Sequence, residues 1–245
     1  MIGVLSSPWG SVAVAALLTV IICAESRWLP WSPYFLAYAV LAAAIPLAAG
    51  GWSWGNLPEL WREHSGILVT AASAMLVWEL GIATWLYEKF WLRLRGHAGD
   101  PRHCPSHALE HLTEEAGRRA RLGPKTSEAI FGAYTLLWAP VAEELFYWGY
   151  LYVNLRAGWP FWAAALTTSA FFGIRHATHF LYLRGRFPWP AASWLVVSTG
   201  VTAFINSQLF ERIGALLPLV LIHLAANILF AAYAASLRRS LSARP

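Results

Sequence analysis

Seven stretches of this chain, at 8–25, 33–50, 67–91, 129–154, 159–183, 189–209 and 213–236, run for about 18 to 26 residues with few charged side chains. An α-helix rises about 1.5 Å per residue, so each stretch is long enough to cross roughly 30 Å of hydrocarbon. Lipid offers no water to backbone N–H and C=O groups, and a helix satisfies them within the segment. The expected fold is therefore an all-α polytopic membrane protein, a bundle of about seven transmembrane helices. The whole chain agrees: 58% of residues are hydrophobic and 13% charged, with a mean hydropathy of +0.47. A soluble domain carries about 25% charged residues. Residues 1–8 contain no Lys or Arg, and the large Ile22 does not make a small-residue cleavage site, so the first stretch reads as a mature helix rather than a signal peptide.

The distribution of basic residues sets an orientation. With the amino terminus outside, Arg62, Arg156 and Arg212 fall on the outer side and Arg175 inside a span, which leaves 14 of the 18 Lys and Arg on the cytoplasmic side. That is the asymmetry of the positive-inside rule. The net charge of +5 then meets anionic headgroups and calls for no nucleic acid. Arg outnumbers Lys 16 to 2, which points to a GC-rich bacterial gene, and so to the inner (cytoplasmic) membrane of a bacterium. Many of the 15 Trp, including Trp9, Trp52, Trp54, Trp61 and Trp162, lie near span ends, where an amphipathic ring suits the headgroup layer.

Three regions are expected. Residues 1–91 hold the N-terminal helices, 92–128 a basic cytoplasmic loop, and 129–245 the C-terminal bundle. The loop has the pattern of a short amphipathic helix near Ser106 to Arg121. Its His103, Cys104, His107 and His111 have spacing a metal could use, but in a solvated loop they read as polar surface. The two cysteines, Cys23 and Cys104, provide no disulfide framework.

An ionisable side chain at mid-bilayer costs about 2.5 to 3.5 kcal/mol even on a lenient scale, so those inside spans are candidates for function. They are Glu79, Glu143, Glu144, Arg175, His176, His179 and His223, joined by the amides Asn206 and Asn227. Counting residues places Glu143, His176, His223 and Asn227 in the middle third of their spans. His223 and Asn227 share a helix face, as do Phe172 and His176, each pair being four residues apart. Adjacent Glu143 and Glu144 point about 100° apart, so one can face a site while the other meets a neighbouring helix. Pro140 can kink their helix just before them. His179 and Glu79 read as structural, and Asn206 as solvated near the interface.

A carboxylate, two imidazoles and an amide buried together support three chemistries. They can activate water and hold an oxyanion. They can bind Zn²⁺ through one Glu and two His. They can relay protons, as a proton-coupled transporter does, although no inverted repeat of the transporter kind is visible in the sequence.

Three motifs carry a resemblance. "EELFYW" begins at Glu143, "FGIRH" spans Phe172 to His176, and "HLAAN" spans His223 to Asn227. In order and spacing, over about 130 to 230, they resemble the EExxxR, FxxxH and HxxxN pattern of the CPBP intramembrane proteases, the group of the CAAX-processing enzymes and their bacteriocin-processing relatives. The resemblance implies a glutamate-type endopeptidase that needs no cofactor, with zinc as the alternative. It would cut a membrane-associated protein or peptide near its C-terminus, at a sorting tail or a lipidated end. It also implies that Glu143 is the general base, with Glu144 beside it and His176 assisting, and that His223 and Asn227 hold the oxyanion. Where the pattern has Arg this chain has Trp148, and Arg175 is the candidate replacement cation. A family member lacking that cation could instead be an inactive scaffold that escorts membrane proteins.

Overall fold

The computed structural model describes residues 5–28, 33–86, 123–177 and 189–242, and among them there are only helices, turns and short connections. The helices are α1 (Pro8–Trp28), α2 (Pro33–Ala49), α3 (Leu57–Leu76), α4, which starts at Pro124–Ala133 and runs on to Val153–Arg156, α5 (Phe161–Ala177), α6 (Trp189–Ile213) and α7 (Leu217–Ser242). The proposed loop helix, the His103 to His111 cluster and His179 lie outside the described residues.

α3 begins ten residues earlier than its apolar run at 67. The polar prelude LPELWREHSG is helical because Pro58 suits the first turn and Asn56, in an extended conformation, ends the preceding connection. The helix widens into a π-helical stretch at Val77–Ala83 before a last turn at Thr84–Leu86. Leu57–Ala83 is on its own long and apolar enough to cross a membrane, whereas Pro8–Cys23, Ala39–Ala49 and Leu217–Leu229 are shorter apolar stretches.

α4 is the axis of the bundle. Every residue from Ala142 to Tyr152 is buried, and Leu145, Phe146, Tyr147, Trp148, Tyr150 and Leu151 lie at the centre of the main apolar cluster. A helix apolar on all sides must be surrounded by others, and α1, α2, α5, α6 and α7 do so. Two π-helical stretches, Tyr134–Trp138 and Leu145–Tyr152, flank the regular turns Ala139–Glu144. Pro140 sits where the first one ends, so the missing amide hydrogen falls where the bonding pattern already changes.

α5 and α6 pack backbone to backbone. A Cβ on Gly173 would lie 2.5 Å from the Val196 carbonyl oxygen, so any side chain there would force the helices apart. This contact fixes the height and rotation of the α5 turn that carries Arg175 and His176. The α2–α3 connection braces the start of α7 in turn: the Leu216 and Leu217 amides donate to the carbonyls of Ser53 and Trp54 at 2.9 and 3.1 Å. At the same end of the bundle Arg156 pairs with Glu211 at 2.7 Å, and the Tyr152 hydroxyl donates to the same carboxylate.

The outer surface is apolar to an unusual degree. Leu17, Val20, Leu47, Val69, Leu137 and Leu166 are among the large side chains left exposed, and Trp9, Trp61 and Trp162 are more than half exposed. Trp52 departs from the expected belt: it is partly buried, and its indole N–H donates to the Pro46 carbonyl at 2.9 Å.

Candidate active site

The acid pair lies at the end of the regular turns of α4, just before its second π-helical stretch. Both side chains are nearly inaccessible, at 3% for Glu143 and 0% for Glu144, so each needs a partner from a neighbouring helix. The 100° between them sends them to different ones. Glu143 Oε1 lies 2.8 Å from Arg175 Nη2, and Glu143 Oε2 lies 3.7 Å from His176 Nε2, both on α5. Glu144 Oε1 lies 2.7 Å from His223 Nδ1 on α7. Both acids thus belong to one cluster, divided between two helices.

Arg175 is 2% exposed, and its Nη2 also donates to the Tyr134 hydroxyl at 3.1 Å. Tyr134 opens the first π-helical stretch of α4, so the guanidinium bridges two points of that helix, Tyr134 and Glu143. The position of the motif's arginine is filled differently. Trp148 is fully buried, donates its indole N–H to the Ser207 hydroxyl at 3.3 Å, and packs edge-on to Phe172 at 5.3 Å. The cation that the motif places on α4 is delivered here from α5.

His176 Nδ1 lies 2.8 Å from the Phe172 carbonyl oxygen. A carbonyl only accepts, so Nδ1 carries the proton, and in the neutral ring Nε2 presents a lone pair toward Glu143. Phe172 holds this geometry as an aromatic hub: its ring lies 4.5 Å from that of His176, 5.1 Å from Tyr147 and 6.3 Å from His223. Asn227 follows His223 by one turn of α7 and is half-buried.

Residues 125–229 match the family model for Rce1-like type II CAAX prenyl endopeptidases. This stretch is similar to an Rce1-like domain. This is a membrane-embedded protease family that acts on membrane-associated proteins, and the matched range contains every residue of the acid–histidine cluster. The comparisons with curated proteins and with solved structures gave no match.

Of the residues singled out in the sequence, the Rce1-like domain brings together Glu143, Glu144, Arg175, His176 and His223, with Phe172 packed among them. Asn206 is a correction. It was expected near the solvated interface, yet it is 2% exposed, and its Oδ1 has no hydrogen-bond partner among the described residues. The reason is that α6 continues to Ile213, which leaves Asn206 two turns inside the helix. Tyr134 was not foreseen. Tyr134 gave no signal, but Ser198, Thr202 and Asn206 recur at intervals of four, a polar stripe visible in the sequence.

Among the described residues no three His, Cys, Asp or Glu side chains converge as a metal-ligand set. The groups expected for zinc are held apart in pairs: Glu143 faces the Arg175 cation and Glu144 is bonded to His223. This arrangement does not fit a site of one Glu and two His on one ion.

Proposed function

We propose that the chain is an intramembrane endopeptidase that cuts a membrane-associated protein or peptide near its C-terminus with a glutamate-activated water. One observation carries the reading. Glu143 Oε2 and the Nε2 of a neutral His176 are two acceptors facing each other 3.7 Å apart, and the carboxylate oxygen accepts no hydrogen bond among the described residues. Two acceptors at that distance are reconciled by a donor with two hydrogens between them, which is a water molecule. Such a water directs its lone pairs away from both groups, toward a substrate carbonyl.

Glu143 Oε2 takes one proton as the water oxygen bonds to the carbonyl carbon, with His176 holding the other hydrogen. The carbonyl oxygen gains the negative charge and is met by His223 and Asn227. When the tetrahedral species collapses, the C–N bond breaks and Glu143 returns its proton to the leaving amine. Arg175 balances the Glu143 charge and holds its Oε1, leaving Oε2 for the water. Phe172 keeps the His176 ring in place. No metal takes part in this scheme.

The seven helices are read as crossing a bacterial inner membrane with the amino terminus outside and the carboxyl terminus in the cytoplasm. The exposed apolar side chains of the bundle and the distribution of Arg and Lys support this. Incubating the purified full chain, in bilayers, with membrane-anchored peptides bearing free or prenylated C-termini, and mapping the products by mass spectrometry, tests the reading. A single new terminus near the C-terminal end is expected. No cleavage of any such peptide by the wild type contradicts it.

A further inference from the structure

A guanidinium and a carboxylate often pair through two parallel hydrogen bonds, one to each carboxylate oxygen. Arg175 and Glu143 meet differently. Arg175 Nη2 lies 2.8 Å from Glu143 Oε1, whereas Glu143 Oε2 accepts no hydrogen bond among the described residues. The same Nη2 donates to the Tyr134 hydroxyl at 3.1 Å. An Nη nitrogen carries two hydrogens, so this one nitrogen serves both oxygens, and the bond to the hydroxyl sets the direction from which the guanidinium meets Glu143. Arg175 is almost wholly buried, so bulk water does not compete for either contact.

Local structure turns Tyr134 toward the cluster. It stands nine residues before Glu143, and at about 100° per residue a regular α-helix would point the two to opposite faces. The π-helical stretch Tyr134–Trp138 changes that. Its closing bond runs from the Ala139 amide to the Tyr134 carbonyl, five residues back, so the turn takes up one extra residue. The angle between the two side chains closes to about 80°, and both reach one guanidinium. Pro140 keeps the wide turn in place, because it has no amide hydrogen with which to resume the regular pattern there.

We propose that Tyr134 is a positioning residue of the active site: its hydroxyl anchors Arg175 on Oε1 of Glu143 and so keeps Oε2 open as the base. The role rests on the proteolytic reading and deepens it. Oε2 is the atom that takes the water proton, and a second hydrogen bond from Arg175 would occupy the lone pair that does so. Without the hydroxyl the guanidinium is free to pivot about its contact with Oε1 into the two-bond pairing. Tyr134 acts through Arg175 and does not need to touch the substrate.

The test uses the full chain in lipid nanodiscs, as wild type, Tyr134→Phe, Arg175→Lys, the double variant and, as a control on an exposed position of the same stretch, Leu137→Ala. Phenylalanine keeps the ring and removes the hydroxyl. Two readouts are taken. The first is the side-chain nitrogen spectrum of ¹⁵N-arginine-labelled protein, with the Arg175 signals assigned by their loss in Arg175→Lys. The second is kcat and KM on a membrane-anchored peptide that the wild type cleaves, alongside the melting temperature. Tyr134→Phe is expected to move the Arg175 Nη signals and to lower kcat about tenfold, the low end of what a hydrogen bond to a charged group is worth. KM stays within about twofold, because the loss falls on the base and not on substrate binding. The melting temperature stays near that of the wild type, since the guanidinium keeps Glu143 as a partner. In the Arg175→Lys background the same change costs less than about threefold, because the two residues act through one contact. Leu137→Ala moves none of these.

Arg175 signals unmoved by Tyr134→Phe overturn the proposal, as do an unchanged kcat, a kcat loss matched by an equal loss of folded protein, and a loss just as large in the Arg175→Lys background. If the wild type cleaves no peptide, the proteolytic reading fails by itself, and the nitrogen spectrum still decides whether Tyr134 holds Arg175.

Discussion

Arg175 Nη2 sits 2.8 Å from Glu143 Oε1, so a cation from α5 neutralises an acid on α4 where the matching motif would place its arginine on α4 itself. Both side chains are almost wholly buried. Removing one partner of such a pair strands the other charge, which typically costs 3–5 kcal/mol. Arg175→Ala is therefore expected to lower both the melting temperature and the cleavage rate sharply. Arg175→Lys should recover less than half of the rate, because an ammonium cannot hold Glu143 and Tyr134 with the geometry of a guanidinium. Adding Trp148→Arg to Arg175→Ala should restore part of the activity, since it returns a cation to α4. Thermal melts and rates measured on the four proteins together check this, and an Arg175→Ala variant that matches wild type in both would show the ion pair to be dispensable.

His223 and Asn227 are assigned to the oxyanion. Loss of one such donor raises the barrier by about 2.7–4 kcal/mol, or roughly 10²–10³ in kcat. His223→Ala should exceed Asn227→Ala, because it also leaves the fully buried Glu144 without its 2.7 Å partner. Steady-state kinetics on both variants decide the matter, and losses no larger than that of an exposed change such as Val69→Ala would remove the assignment.

The acid pair and its histidines were legible in the sequence because lipid makes each of them costly and therefore conspicuous. The three motifs also marked the reach of the domain, about 130 to 230 against the matched 125–229. What the sequence could not supply was rotation about helix axes. Arg175 and His176 are neighbours that ought to diverge, yet both reach Glu143, because the long guanidinium side chain spans the difference. Which of the two acids meets which neighbouring helix was hidden for the same reason: the direction of Glu144 toward His223 depends on how α4 is turned against α7. The early start of α3 and the depth of Asn206 were missed because an apolar count ends where polar residues begin, while the helix itself continues.

At the opposite pole from the buried cluster, the Arg156 guanidinium hydrogen-bonded to Glu211 holds that carboxyl below its ordinary range. A lowered folded value means that the stabilisation is complete above the unfolded carboxyl range and is lost as pH falls through the folded one. The pair is partly exposed and screened by salt, so its contribution is small. Arg156→Ala should lower the melting temperature by roughly one or two degrees at pH 7 and by nothing measurable near pH 2. Melts at the two pH values check it, and a difference that persists in acid would mean that packing of the arginine stem, rather than the ion pair, is responsible.

The proposed scheme uses no metal, and the pairing of Glu143 with Arg175 and of Glu144 with His223 is what it rests on. Prolonged chelation of the detergent-solubilised protein should leave cleavage intact, and elemental analysis should find no stoichiometric zinc. Inactivation by chelator that added zinc reverses would instead require Glu143 to leave Arg175 and join His176 and His223 on one ion.

Glu143→Gln tests the central claim most directly, because the amide keeps the volume and the hydrogen-bond reach of the carboxylate while losing the basicity that takes the proton from water. The measurement is single-turnover cleavage of a membrane-anchored peptide by wild type and variant, both shown by melting temperature to be folded in the bilayer. A fall of about 10²–10⁴ in rate with the fold retained is predicted. Turnover by folded Glu143→Gln at the wild-type rate would contradict the account.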